Sequence, residues 1–261
     1  MARGVSTVLD VSLCLLLVGV AVTTLVVGVP VGDEEPPPRA DSTARTVATA
    51  TTTVPSTLEH PSHDTLAGHL GAAALANSRI GGSRTTASQY PASVRSAVDD
   101  SIGRRVFVTA RWEPYPDAPL SGSVSVGERP PRDVSVAVTR LTIDSGVRSP
   151  RNATTFAALS SGLASGYVSW LFSPERTRAL LVDSRTAPAV SARYRRVSDT
   201  VAADVRQPLG NARVRGANDA LARMLAARLR RDLREQYDSP AAARRNVTVG
   251  RVEIAVRRWD P

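Results

Sequence analysis

Lysine is absent from this sequence: all 33 basic residues are arginine, set against 24 acids for a formal net charge of +9. So uniform a preference reads as codon composition rather than a functional choice. The single cysteine, Cys14, excludes an intramolecular disulfide framework and a cysteine-based zinc site. Aromatic residues make up only 4%, too few for a large aromatic-lined ligand or nucleic-acid surface. Histidine occurs only at His60, His63 and His69, so no histidine-based acid–base pair or Ser-His-Asp arrangement can be assembled elsewhere. The G-x-S-x-G, G-x-G-x-x-G, P-loop and H-E-x-x-H motifs are all missing. Asp99 and Asp100 are adjacent, and on a helix their side chains would point about 100° apart rather than pair. Together these absences predict a chain that is not an enzyme and carries no cofactor.

Charge is also absent from one long stretch. Between Val11 and Gly32 no residue is charged, and as a helix that run would extend roughly 33 Å at ~1.5 Å per residue. A hydrocarbon core is about 30 Å thick, so the run predicts a transmembrane helix over residues 5–32. Arg3 lies on the short side and Asp33, Glu34 and Glu35 open the far side. Basic residues near a span stay cytoplasmic, which predicts a single-pass protein of the cell membrane. Its amino terminus would be cytoplasmic and the bulk of the chain extracytoplasmic. The run is longer than a secretory h-region and ends without an A-x-A site, so cleavage behind it is not expected.

Residues 33–59 begin with Pro36, Pro37 and Pro38 and continue as a threonine-rich tract. With little to bury, such a tract predicts a disordered stalk. From residue 60 to 261 the pattern predicts one extracytoplasmic α+β domain. Helical spacing is expected over 64–79, ended by Gly81-Gly82, and again from Tyr90 to Ile102. Period-two alternation predicts strands at 105–112, 121–126 and 133–143, and Arg178 to Asp183 also has the composition of a strand. Residues 153–172 are uncharged, but their serines and glycines favour a domain helix over a second span. Partial helix is expected over 186–205. A strand or hairpin is expected from Asn246 to Trp259. The clearest helix is 216–237, with Leu221, Met224, Leu225, Leu229 and Leu233 on one face and Arg223, Arg230, Arg231 and Arg234 on the other.

The excess charge is confined to one region. Residues 33–175 hold 13 arginines and 14 acids, whereas residues 176–261 hold 19 arginines and 9 acids. Arginine interleaved with acids is ordinarily a solvated face, and an extracytoplasmic domain does not meet nucleic acid. The partners expected are the membrane itself and acidic protein subunits recognised by this basic third. The H-x2-H-x5-H run at residues 60, 63 and 69, beside Asp64, has metal-ligand chemistry but starts in the expected stalk, so no metal site is predicted. Asn152-Ala153-Thr154 and Asn246-Val247-Thr248 match the N-glycosylation pattern, with Asn152 placed in a loop and Asn246 just ahead of a strand.

Met1-Ala2-Arg3-Gly4, followed by Val5-Ser6-Thr7-Val8 and the long apolar run, resembles the class III signal of archaeal type IV pilins. The resemblance implies a leader of residues 1–4, cleaved between Gly4 and Val5, with the apolar helix retained on the mature chain. It also implies an intramembrane pairing role for Asp10, by loose analogy with an acidic residue one position earlier in bacterial pilins; read from the sequence alone, Asp10 marks the membrane–water boundary as a solvated carboxylate. The stretch RGVSTVLDVSLCLLLVGVAV, the Trp112-Glu113-Pro114-Tyr115-Pro116 turn and the arginine-rich closing strand are together similar to an uncharacterised family of haloarchaeal membrane-anchored proteins. Such proteins tend to be encoded near pilus-like assembly and secretion components. That resemblance implies a non-enzymatic, pilin-like or secretion-associated structural subunit. The alternative is a stalked binding module held by an uncleaved signal anchor.

Overall fold

A computed structural model of the chain describes residues 39–55, 63–86, 88–210 and 213–260. Its fold is α+β, with one six-stranded antiparallel sheet, a separate two-stranded ribbon and, among the described residues, nine helices. The described residues open with α1 (Asp41–Thr49), β1 (Thr51–Thr53), β2 (His63–Thr65) and α2 (Leu66–Ala76). Next come β3 (Arg79–Ile80), β4 (Ser83–Arg84), α3 (Tyr90–Asp99), β5 (Val106–Trp112), β6 (Leu120–Gly127) and β7 (Val136–Asp144). Helices α4 (Phe156–Leu171), α5 (Pro174–Val182), α6 (Ala187–Val201), α7 (Arg206–Gly210), α8 (Val214–Gln236) and α9 (Pro240–Arg245) follow before β8 (Arg251–Trp259) closes the sheet.

The strand order is β4-β3-β6-β5-β8-β7, so the last strand of the chain inserts between β5 and β7. Period-two alternation gives the sheet one apolar face. Val108, Ala110 and Trp112 on β5 and Val252, Ile254 and Val256 on β8 are buried, while Arg111, Ser123, Ser125 and Glu253 face out. Helix α2 lies across the buried face. Its alanines and leucines allow close approach, and a Cβ on Gly122 of β6 would collide with the backbone carbonyl of Ala74. Side-chain absence at Gly122 is therefore a packing requirement of the helix–sheet contact.

Helices α4 and α8 pack along one another and carry the second part of the core, with Leu159, Leu163, Leu221, Leu225 and Leu229 buried. Two aromatic contacts lock this part together. Trp112 stacks on Tyr167 of α4 with ring centroids 5.5 Å apart, and Phe172 stacks on Tyr194 of α6 at 3.8 Å. Tyr194 donates to Asn218 Oδ1 at 2.6 Å and Asn218 Nδ2 donates to the Phe172 carbonyl at 2.8 Å, so the polar atoms in this apolar layer are paired.

The expected stalk requires correction. Residues 41–55 are ordered parts of the domain, since Ala40, Ala44, Val47 and Val54 are buried in the core. The threonine run becomes a strand because 63–65 supplies a partner, with Thr51 opposite Thr65 and Thr53 opposite His63. Residues 33–38 and 56–59 of the expected stalk lie outside the described residues, as do the expected membrane helix, Gly4, Val5 and Asp10. Among the described residues no helix is long and apolar enough to cross a membrane. The uncharged segment 153–172 is the domain helix α4.

Three smaller expectations also change. Arg178 to Val182 belong to α5, with Asp183 as its C-cap, and not to a strand; Pro174 opens that helix, and Val182 is left 83% exposed, so the apolar run does not mark a buried edge. Gly81 and Gly82 do not cap α2, which ends at Ala76; they turn the β3–β4 hairpin. Met224 is 42% exposed and leaves the apolar stripe of α8 to its leucines and alanines.

Candidate functional site

Sequence reasoning places basic character in the last third of the chain; the fold decides where that charge converges. Two loops meet beside the end of β7. One is 145–151, between β7 and α4, and the other is 246–250, between α9 and β8. Each is pinned from beneath. Ser145 donates its backbone N–H to the Gly250 carbonyl at 3.1 Å and its hydroxyl to the Val249 carbonyl at 2.7 Å. The Val147 N–H returns to Ser145 Oγ at 3.0 Å, and the Val147 and Val249 side chains are buried.

The second loop is held by the Trp112–Pro116 turn that stands out in the sequence. Trp112 Nε1 donates to the Val249 carbonyl at 2.8 Å. Thr248 donates its N–H to the Pro114 carbonyl and its hydroxyl to the Glu113 carbonyl, both at 2.9 Å. Tyr115, fully buried in the same turn, packs edge-on to Tyr237 with centroids 6.4 Å apart. Its hydroxyl lies beside the Asp232 carboxylate of α8, short of hydrogen-bond geometry. Burial, and then that carboxylate, push the Tyr115 phenol well above the ordinary tyrosine range. Burial likewise pushes Asp232 above the ordinary carboxylate range, and Glu235 adds to it. The turn is thus a hub that ties the sheet, α8 and the 246–250 loop together.

Between the loops lies an open groove of about 1040 Å³. Arg148, Arg151, Arg244, Arg245 and Arg251 line it, against one carboxylate, Asp144. All five arginines are exposed, and among the described residues none has an ion-pair partner. Asp144 is engaged locally, its Oδ1 accepting the Gly146 N–H at 2.6 Å. Helix α9 presents two of the five. Ser239 caps its start, the hydroxyl accepting the Ala242 N–H at 3.2 Å, and Arg244 and Arg245 fall in its last turn. A guanidinium offers donors in a planar fork that matches a carboxylate, so such a groove suits carboxylate-bearing or other anionic groups.

A second open groove, of about 1260 Å³, provides a contrast. There Arg95, Arg104, Arg105 and Arg258 are matched by Asp99, Asp100, Glu128 and Asp260. It is larger but electrically balanced. Sign of charge, not size, singles out the first groove.

His69 is buried, its Nδ1 2.8 Å from the Tyr90 hydroxyl and its Nε2 3.1 Å from the Thr52 carbonyl. Of the neutral tautomers, only the one protonated at Nε2 serves the second contact, because the carbonyl can only accept; Nδ1 then accepts from the tyrosine. His69 therefore ties α2, α3 and the 51–53 strand together. His63 sits in the ribbon, with Nδ1 3.4 Å from Thr53 Oγ1, and His60 lies outside the described residues. Among the described residues no three His, Cys, Asp or Glu side chains are grouped to hold a metal. Asn152 is exposed in the turn after Arg151. Asn246 is also exposed and ends α9, not merely preceding a strand, with its Nδ2 donating to the Ala242 carbonyl at 3.0 Å. Arg148 and Arg151 were not legible as site residues, since they lie about a hundred positions before their partners; the R-x-x-R spacing and the Arg244-Arg245 pair were the only local signals.

No curated protein and no solved structure matches the chain. The pattern shared along residues 9–259 takes in the charge-free stretch 11–32 as well as the α+β fold and both groove loops, and by it the chain belongs to a family of unknown function, DUF7284.

Proposed function

We propose that this chain is a non-enzymatic, membrane-anchored subunit, pilin-like or secretion-associated, whose extracytoplasmic domain docks an acidic protein partner in the arginine groove. The observation that carries the docking role is the convergence of five arginines, unpaired among the described residues, on one concave surface with a single, locally engaged acid. The non-enzymatic character rests on the scarcity of histidine in the sequence and on the use of His69 as a structural bridge between Tyr90 and the Thr52 carbonyl. The anchoring role rests on the charge-free run at 11–32, which falls within the residues shared by the family. Only eight residues, 33–40, separate that run from α1, which leaves little sequence for a stalk and favours the subunit over a stalked binding module.

The test is the intact mass and amino-terminal sequence of the protein isolated from a membrane fraction. A chain beginning at Val5 supports prepilin-type processing and the assembly role. A chain beginning at Met1 or Ala2 overturns the pilin-like part and leaves a signal-anchored binding module. A start beyond Gly28 removes the anchor and overturns both.

A further inference from the structure

The groove is continuous with an open strand edge. β7 is the last strand of the sheet, nine residues long, while the opposite edge is the two-residue strand β4. The direction of its backbone groups follows from the register. Ser145 and Gly250 form a hydrogen-bonded pair, as Ser145 N–H bonds the Gly250 carbonyl. In an antiparallel ladder such pairs alternate with non-bonded ones, so Ile143, Leu141, Thr139 and Ala137 also turn their N–H and C=O groups toward β8. On the far side of β8, Trp259 N–H bonds the Arg105 carbonyl, as the same alternation requires. The backbone groups of Val138, Arg140, Thr142 and Asp144 therefore point away from the sheet. Among the described residues nothing pairs with them.

Such a row of unpaired donors and acceptors is a template for another strand. The outer end of this one, Thr142 to Asp144, is also a wall of the arginine groove. An extended segment laid along β7 would thus reach the groove lined by Arg148, Arg151, Arg244, Arg245 and Arg251 at its Asp144 end. Its side chains alternate in direction, so acidic residues at every second position would share one face. Arg140, exposed on β7, extends the positive field along the edge. Asp144 opposes an acidic ligand least, because its carboxylate is drawn back into its own turn.

We infer that the acidic partner is captured as an extended segment that adds to the outer edge of β7 as a seventh strand, with its carboxylates seated on the groove arginines. This rests on the docking role proposed above and specifies its chemistry: main-chain pairing supplies register and the guanidiniums select acidic sequence. A charged groove alone would accept any polyanion of suitable size.

The experiment uses the full-length protein in detergent micelles. Its probes are a labelled peptide alternating Glu and Thr, the same peptide N-methylated at every second residue, and inorganic polyphosphate. Affinity is read by fluorescence anisotropy, and hydrogen exchange is followed at the β7 amides. The expected result is at least ~10-fold weaker binding of the methylated peptide, about 1.4 kcal/mol, with slowed exchange at Val138, Arg140 and Thr142 for the unmodified peptide only. Thr142→Pro removes an outward N–H without breaking the ladder to β8, as edge strands tolerate, and is expected to reproduce the loss. Equal binding of both peptides without amide protection overturns strand addition while leaving the acidic groove standing, as does polyphosphate binding as tightly as the unmodified peptide. If neither peptide binds better than an alternating Gln and Thr control, the docking role itself fails, and strand addition with it.

Discussion

Helix α8 and the groove are both rich in exposed arginine, yet they are different kinds of surface. Along α8, Arg223, Arg230, Arg231 and Arg234 project from a convex helix face and are interleaved with Asp219 and Glu235. Each has room to remain hydrated and to pair locally, so their charge is dispersed. In the groove, five arginines from three separate stretches of chain converge on one concavity with one acid. Concave walls concentrate the field of like charges, and the cost of bringing them together is offset only by an anion. Density of arginine in a sequence therefore says little about binding, whereas convergence says a good deal.

The contrast can be probed from its strongest to its weakest consequence. Leu229 is fully buried on the inner face of α8 while its neighbour Arg230 is exposed. Leu229→Ala is expected to cost about 3 kcal/mol by urea denaturation, and Arg230→Ala less than about 0.5 kcal/mol. A comparable loss at Arg230 would mean that the outer face is not merely solvated. Next, Arg148→Glu combined with Arg251→Glu should weaken binding of an acidic peptide by more than ~10-fold. The matched pair Arg230→Glu and Arg231→Glu should change it less than ~3-fold at physiological salt, where screening acts over ~8 Å. Equal losses from the two pairs would reduce the groove to a share of the overall charge.

The smallest effect concerns the hub behind the groove. Asp232 has its carboxyl raised above the ordinary value of 3.8 by burial, which outweighs the lowering influence of the Tyr115 hydroxyl. The folded state then holds this proton more tightly than the unfolded state, so the group costs stability as pH rises from 3.8 through its raised value. Asp232→Asn should raise the melting temperature at pH 7 by about 2 °C or less. No gain is expected below pH 3.8, where the carboxyl is protonated in both states. A gain that persists in acid would place its origin in packing rather than ionisation.

Much of the architecture was legible wherever a single element carries its own pattern. The alternation at 105–112 and 133–143 became β5 and β7, and the leucine spacing of 216–237 became α8. Failures came where a partner decided the outcome. Thr51 to Thr53 carries no apolar pattern and forms a strand only because His63 to Thr65 lies alongside. The site was less legible still. The C-terminal excess of arginine pointed to Arg244, Arg245 and Arg251 only as part of a region, and nothing local distinguished Arg148 and Arg151 from other loop cations.

By itself the amino-acid sequence determined the α+β class, the charge-free run at 11–32, the scarcity of histidine and the basic bias of the last third, because each is a property of composition or short-range period. Tertiary structure alone decided that residues 41–55 belong to the domain, that β8 inserts between β5 and β7, and that the outer edge of β7, unpaired among the described residues, lies beside five arginines. Those outcomes depend on contacts between residues about a hundred positions apart, such as Trp112 with Val249 and Ser145 with Val249. Burial and hydrogen-bond satisfaction are settled between such partners, and no local window of sequence contains both.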